Sequence, residues 1–492
     1  MENKTIIQFF HWYISDDGNW WNYCASQAKR IAELGFTHVY LPPAYKSAFD
    51  GEPGYAVYDL YDLGEFDQKG KVRTKYGTKE EYLRCIDELH KNKLEVIADI
   101  VMNHRNGADE EELFKARPVA HENRNEFVDE EKDIHAFTKF TFPARQDKYS
   151  AFKWDFRCFS GVDKFENGGS TIYSILNEYG DKWEDVLDNE FGNYDFLMGA
   201  DVEFRNEHVR EELKNWGKWY IETTKIDGFR LDAVKHITPS FIKEWVNAMK
   251  EFFKKDFFCI AEYWNLDVNI LFHYLDTIEN CASLFDVPLH HNFHHASLEK
   301  KDYDMTKLLD GTLFKLRSFN CITFVENHDT QPLQALESPV DFWFQPIAYA
   351  VILLREQGIP TVFFPALYGA SYSGDKGGQH FEINLAIVKE LETLLMIRKD
   401  LAYGLQIDYL DHGNVIGWVR QGIKEKPNSG CAVLISNGDD GFKTMDLGKD
   451  NANKIYIDAC GHIENEIKTD ENGQGTFEVK GGSVSVWISK NK

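Results

Sequence analysis

Eight short apolar runs, separated by stretches of helix-like periodicity, are what most limits how this chain can fold. They are Thr5–Phe10, His38–Leu41, Val96–Asp99, Ile226–Leu231, Phe258–Ala261, Ser283–Phe285, Cys321–Val325 and Thr361–Phe364. Strands alternating with helices predict a parallel α/β sheet, and eight is the number that closes a (β/α)8 barrel. The stretches between carry their own helix signals. Thr78 and Glu81 form a capping-box pattern before Tyr82, Ile86 and Leu89. Thr238-Pro239 opens another helix, with Trp245, Met249 and Phe252 on one stripe. Asn384 to Arg398 reads as the last barrel helix.

The alternation fails twice. From about Arg105 to Arg205 the chain is rich in charge, Gly and Asn, and no barrel-type helix is predicted there. Beyond Leu401 short strand-like runs are separated by Gly, Asn and Asp turns: Val415–Arg420, Cys431–Ser436, Lys454–Asp458, Gly475–Val479 and Val484–Ile488. The predicted division is a barrel from residues 1–104 and 206–400, an insertion over 105–205 after the third strand, and a C-terminal antiparallel β-sandwich over 401–492. At 492 residues the chain is long enough for several cores.

The formal charge of -25 argues against nucleic acid or an anionic membrane as partner. A neutral polymer is indifferent to that field. The eight cysteines form no CxxC or zinc spacing, and scattered thiols suit a reducing compartment. Thr5–Phe10 already reads as a strand, with no charged-then-apolar leader, so a cytoplasmic location is expected. A secreted chain trimmed of its leader would read the same way. A monomer is expected.

Four of the strands end in polar groups. Val96–Asp99 leads to Asn103 and His104, Ile226–Leu231 to Asp232, Phe258–Ala261 to Glu262, and Cys321–Val325 to Asn327-His328-Asp329. Barrel enzymes work at the C-terminal ends of their strands. Side chains alternate along a strand, so Arg230 and Asp232 face the same way. Taken alone, that spacing reads first as a structural ion pair. Four such ends in order are a more specific signal.

These segments resemble, in order, the four sequence regions of the alpha-amylase clan, glycoside hydrolase family 13. Asn193 to Asp201 and Gly54 to Phe66 also resemble segments of the liquefying bacterial members, and the similarity extends over nearly the whole chain. The resemblance implies a TIM barrel with a B domain inserted after strand 3. It also implies endo-acting, retaining cleavage of alpha-1,4-glucosidic bonds in starch, glycogen or maltodextrins. Retention needs a nucleophile and an acid/base. Asp232 is the expected nucleophile, kept ionised by Arg230. Glu262, without a basic neighbour in sequence and beside Tyr263 and Trp264, is the expected acid/base. Asp329 matches the third acid, which binds hydroxyls of the distorted sugar.

His104 and His328 match histidines around that sugar, and Tyr55 matches a stacking platform. Lys235 and His236 match residues on the leaving-group side, and Trp12 is a candidate for the cleft floor. The resemblance also implies calcium, held by Asn103, Asp195, Asp201 and the main-chain carbonyl of His236, with Asp163 as a remnant of a larger ion cluster. Hard cations take oxygen ligands of this kind.

Three departures stand out. Glu203 and Arg205 replace further aspartates, so Arg205 is expected to substitute for one cation. Phe363 to Gly369 departs from the usual Tyr-Gly-Asp turn, and His11 stands where relatives often carry Glu. An exo-acting amylase or transglycosylase on the same scaffold remains open, as does a non-catalytic glucan-binding protein, although all three acids are present. A sugar-phosphate isomerase is disfavoured because no phosphate-binding glycine loop follows the late strands.

Overall fold

A computed structural model describes residues 3–166, 169–254 and 257–490. Its centre is a closed parallel barrel of Ile6–Gln8, His38–Leu41, Glu95–Ile100, Gly228–Leu231, Phe258–Ala261, Ser283–Phe285, Cys321–Phe324 and Ile359–Phe363. Going round the barrel, the order is first, eighth, seventh and so on down to second. All eight runs read from the sequence are its strands. Register sets Arg230 beside Asp99 on one neighbour and Ile260 on the other. Gly228 permits the tight approach of the fourth and fifth strands: a Cβ there would lie 2.3 Å from the Phe258 carbonyl oxygen.

The helices follow their local signals. Lys79–Lys91 begins with the full capping box of Thr78 and Glu81, and it buries Tyr82, Ile86 and Leu89. Pro239–Phe253 buries Trp245 and Met249, with Phe252 partly buried against the same core. The last helix starts later than the expected Asn384. It spans Leu391–Asp400, and Asn384 lies in a hairpin of Ala370–Lys376 and Gln379–Leu385. Phe381, Ile383 and Leu385 alternate with polar residues at period two, which is a strand pattern rather than a helical one.

Between the third strand and its helix Glu207–Thr224 lies a six-stranded antiparallel sheet. It contains His104–Arg105, Glu110–Pro118, Lys132–Lys139, Phe159–Glu166, Gly169–Ile175 and Ala200–Val202. Among its described residues only single 3-10 turns interrupt the strands. The C-terminal region holds a second six-stranded sheet and the pair Gly441–Asp446 with Gln474–Val479, closed over Leu434, Met445, Phe477 and Trp487. Three of its strands, Gln406–Tyr409, Gly441–Asp446 and Ile467–Lys468, went unread because their outer positions are polar and their apolar pattern is short.

Candidate active site

The fourth strand sends Arg230 into the barrel mouth, where it is buried. Its Nη1 lies 2.8 Å from Asp99 Oδ1 and 2.6 Å from Asp232 Oδ1, and its Nη2 lies 3.1 Å from Glu262 Oε2. One guanidinium therefore gathers the ends of the third, fourth and fifth strands. Asp99 Oδ2 also accepts from Tyr40 Oη at 2.6 Å and Tyr55 Oη at 2.7 Å. Directly after Asp232, Ala233 is held at a φ of 50°, a left-handed conformation disfavoured for a residue with a Cβ. This turn aims the Ala233 N–H at Glu262 Oε2, 2.9 Å away.

Asp329 follows the seventh strand, with His328 Nε2 3.3 Å from its Oδ2. Gln8 Nε2 lies 2.9 Å from His328 Nδ1. An amide that donates there leaves the ring proton on Nε2, facing Asp329. Burial lowers His328 to about 3 and His104 to about 4, so both rings are neutral near pH 7. His104 Nε2 meets the Tyr55 carbonyl at 2.9 Å, and its buried Nδ1 has no protein partner. Trp12 lies parallel to Tyr55, 5.4 Å between ring centroids and 9° apart, and Tyr55 is stacked on His328 at 5.1 Å. These rings form one continuous floor.

Burial raises all three acids while Arg230 opposes it. Glu262 is pushed up to about 7 and Asp329 to about 6. Asp232 is also raised by burial, and Glu262 and Asp99 add to that rise. Arg230 acts on Asp232 as expected, and burial with Glu262 and Asp99 acts against it. The three acids titrate as a coupled set, and the 2.6 Å contact with Arg230 favours the charge on Asp232 over Glu262, whose contact is 3.1 Å. The expected surroundings of Glu262 need correction too. Arg230 is its basic neighbour, brought by the fold rather than by the chain. Tyr263 faces away, packing on Tyr274 at 4.7 Å, as strand alternation requires.

Lys235 and His236 sit at the turn after Asp232, but neither stands free. Lys235 Nζ pairs with Glu190 at 2.6 Å and Asp188 at 3.3 Å, and His236 Nδ1 lies 2.7 Å from the Tyr194 carbonyl. They clasp the inserted segment. Burial lowers His236 to about 3.

Behind them lies a second group of buried acids: Glu184, Asp195, Asp201 and Glu203. Asn103 Nδ2 is 3.2 Å from Asp201 Oδ1, while Asn103 Oδ1 is buried without a partner. Burial raises Asp195 to about 7, with Glu203 adding to the rise, and burial also raises Asp201 and Glu184, with Asp195 adding to both. Arg205 forks onto Glu203, Nε to Oε1 at 2.7 Å and Nη2 to Oε2 at 2.6 Å. Asp163 does not join this group: it is exposed on its strand, where its N–H meets the Gly199 carbonyl at 3.3 Å. Asp99, Gln8 and Tyr40 belong to the mouth but were not singled out. The acidic end of the third strand was the available signal for Asp99.

Residues 20–363 match the model of the family described as alpha amylase, catalytic domain. The chain is 48% identical over 492 residues to the cytoplasmic alpha-amylase of Escherichia coli strain K12, covering 99% of each. It is 43% identical to the glucan 1,4-alpha-maltohexaosidase of Bacillus sp. strain 707, covering 99% of this chain and 93% of that one. In fold it is similar to an alpha-amylase from Geobacillus thermoleovorans solved with acarbose, at a TM-score of 0.65 and 20% identity, covering 100% of this chain and 98% of that one.

Proposed function

This chain belongs to the alpha-amylase family of glycoside hydrolases, and from that premise we propose that it hydrolyses internal alpha-1,4-glucosidic bonds with retention of configuration. The observation that carries the reading is the single guanidinium of Arg230 in contact with Asp99, Asp232 and Glu262. Two carboxyls held by one guanidinium fit the separation of about 5–5.5 Å needed for retention better than the ~6.5–9.5 Å of inversion.

Asp232 attacks the anomeric carbon while Glu262 gives its proton to the leaving oxygen. The bond to that oxygen breaks, and a glycosyl ester forms on Asp232. Glu262, now ionised, takes a proton from water. The resulting hydroxyl attacks the same carbon and frees Asp232. Asp329 and the neutral His104 and His328 bind hydroxyls of the reacting sugar, and Tyr55 with Trp12 stacks beneath it. Lys235 and His236 hold the wall beside the departing chain.

Proton NMR of products from a maltooligosaccharide tests this reading. Alpha-anomeric, mixed-length products support it, and beta-anomeric products overturn it. The relative named as a maltohexaosidase supports a second reading, release of one defined oligosaccharide. A single product length from amylose would favour that reading.

We also propose a structural calcium ion. Among the described residues, no three His, Cys, Asp or Glu side chains form a metal group by themselves. The fit rests instead on mixed oxygen donors: the unpartnered Asn103 Oδ1, buried Asp195 and Asp201, and the His236 carbonyl. Such a set suits a hard cation. When bound, the ion supplies positive charge that keeps these carboxyls ionised, and it joins the insertion to the barrel. All eight thiols are free, and no described helix is long and apolar enough to cross a membrane. With the name of the Escherichia coli relative, the free thiols support an enzyme acting on a glucan in the cytoplasm.

A further inference from the structure

Two departures from the family pattern meet in space. His11 lies between Phe364, which stands in the altered turn after the eighth strand, and Tyr372, on the following hairpin. The ring centroids are 6.0 Å apart on one side and 5.9 Å on the other, with interplanar angles of 19° and 28°. Tyr372 then stacks on Tyr13 at 4.2 Å and 10°. The result is a ladder of four rings from the core outward. Phe364 and His11 are buried, whereas Tyr372 and Tyr13 are partly exposed. A carboxylate at position 11 would supply no ring to this ladder.

The ladder is fastened to the loop that follows Asp329. Tyr372 Oη donates to the Pro332 carbonyl at 3.1 Å, and Gln334 Nε2 donates to Tyr13 Oη at 2.8 Å. Lys376 pairs with Glu337, which also accepts from the Leu333 N–H at 2.9 Å. Trp12 N–H donates to Gln331 Oε1 at 3.1 Å. The hairpin, the Asp329 loop and the Trp12–Tyr13 turn thus form one body.

Its place in the barrel gives it a direction. In the closed order, the eighth strand lies opposite the fourth and the first lies opposite the fifth. In the reading above, the departing chain lies beside Lys235 and His236, after the fourth strand, and Glu262, which follows the fifth. The glucan held on Asp232 is accordingly assigned to the opposite rim, past Trp12 toward the first and eighth strands.

Resting on the hydrolase reading above, we propose that Tyr13, positioned by Tyr372 and His11, is a specificity-determining ring that stacks a glucose unit of the retained chain beyond Trp12. Sugar C–H faces stack on an exposed ring. An interaction so far from the cleaved bond rewards only substrates long enough to reach it.

The test measures kcat/KM for maltoheptaose and maltotriose with the metal-loaded full chain. In Tyr13→Ala the heptaose-to-triose ratio should fall about tenfold, the size of one stacking contact. Tyr13→Phe should restore it, and Tyr372→Ala should reproduce most of the loss. Tyr13→Leu keeps bulk without the ring and should also lose the ratio, so a poorly folded alanine variant leaves the question decidable. An unchanged ratio in Tyr13→Ala and Tyr13→Leu overturns the proposal, as does an equal fall on both substrates. If the unaltered enzyme cleaves neither sugar, the hydrolase reading fails, and that failure is distinct from an unmoved ratio.

Discussion

Two groups of buried acids, one at the barrel mouth and one at 184–203, handle the same electrostatic problem differently. At the barrel mouth Asp99, Asp232 and Glu262 all touch one arginine. In the group at 184–203, Arg205 forks onto Glu203 and also donates to the Lys182 carbonyl, and Asn103 keeps an unpartnered carbonyl oxygen. Burying an anion is costly unless a cation accompanies it. The mouth carries its cation as a side chain, which on the proposed mechanism leaves Glu262 its proton to donate. In the second group Arg205 and Arg124 only partly offset burial, and the raised Glu184, Asp195 and Asp201 fit the calcium ion proposed above. On the proposed reading, similar composition serves proton handling in one place and ion holding in the other.

The strongest break of this comparison is at the mouth. Glu262→Gln should lower kcat by about 10²–10⁴-fold, the usual share of a general acid/base, while melting stays near that of the parent. Retention of near-normal activity would remove Glu262 from its role. Asp195→Asn should act in the opposite pattern. Calcium affinity should weaken by at least the roughly 10–100-fold that loss of a supporting group costs, and thermal stability should fall with it. Titration calorimetry with unchanged affinity would disconnect Asp195 from the ion.

The two groups should also answer pH differently. Asp195 has its folded-state value raised to about 7 when no metal is present. A carboxyl raised on folding contributes stability below its unfolded value, and that contribution is lost as pH rises through the folded one. Metal-free protein should therefore gain stability when taken from pH 7.5 to about 5, and saturating calcium should flatten that gain. Melting curves at both pH values, with and without chelator, decide it; a metal-free protein more stable at the higher pH contradicts the assignment. At the mouth, kcat/KM should decline above about pH 7 as Glu262 loses the proton it donates. The smallest effect concerns Arg205. Calorimetry should find one tight calcium site in the parent, and Arg205→Gln should gain a second, weaker one as Glu203 loses its partner. Two tight sites in the parent would show that Arg205 replaces no cation.

What could be read in advance follows from range. Each barrel strand declares itself within five or six residues, because burial on both faces demands an apolar run. Asp232, Glu262 and Asp329 were visible for the same reason, since each stands where such a run stops. The hairpin at 370–385 replaces the start of the helix expected from Asn384, because Phe381, Ile383 and Leu385 alternate at strand period right up against a helical pattern. The basic neighbour of Glu262 could not be read at all, because Arg230 lies 32 residues away along the chain and a strand's width away in the barrel.

By itself the sequence determined the strand count, the places where the barrel opens and which acids stand there, because each depends on a short stretch of side chains and its periodicity. Only the tertiary structure decided how charge is shared among those acids, that Lys235 is already paired, and that His11 and Tyr372 form one stack. Those properties depend on burial and on contacts between residues far apart in the chain. Coulomb and stacking energies act over a few ångströms of space, and separation along the chain does not reveal which groups will meet.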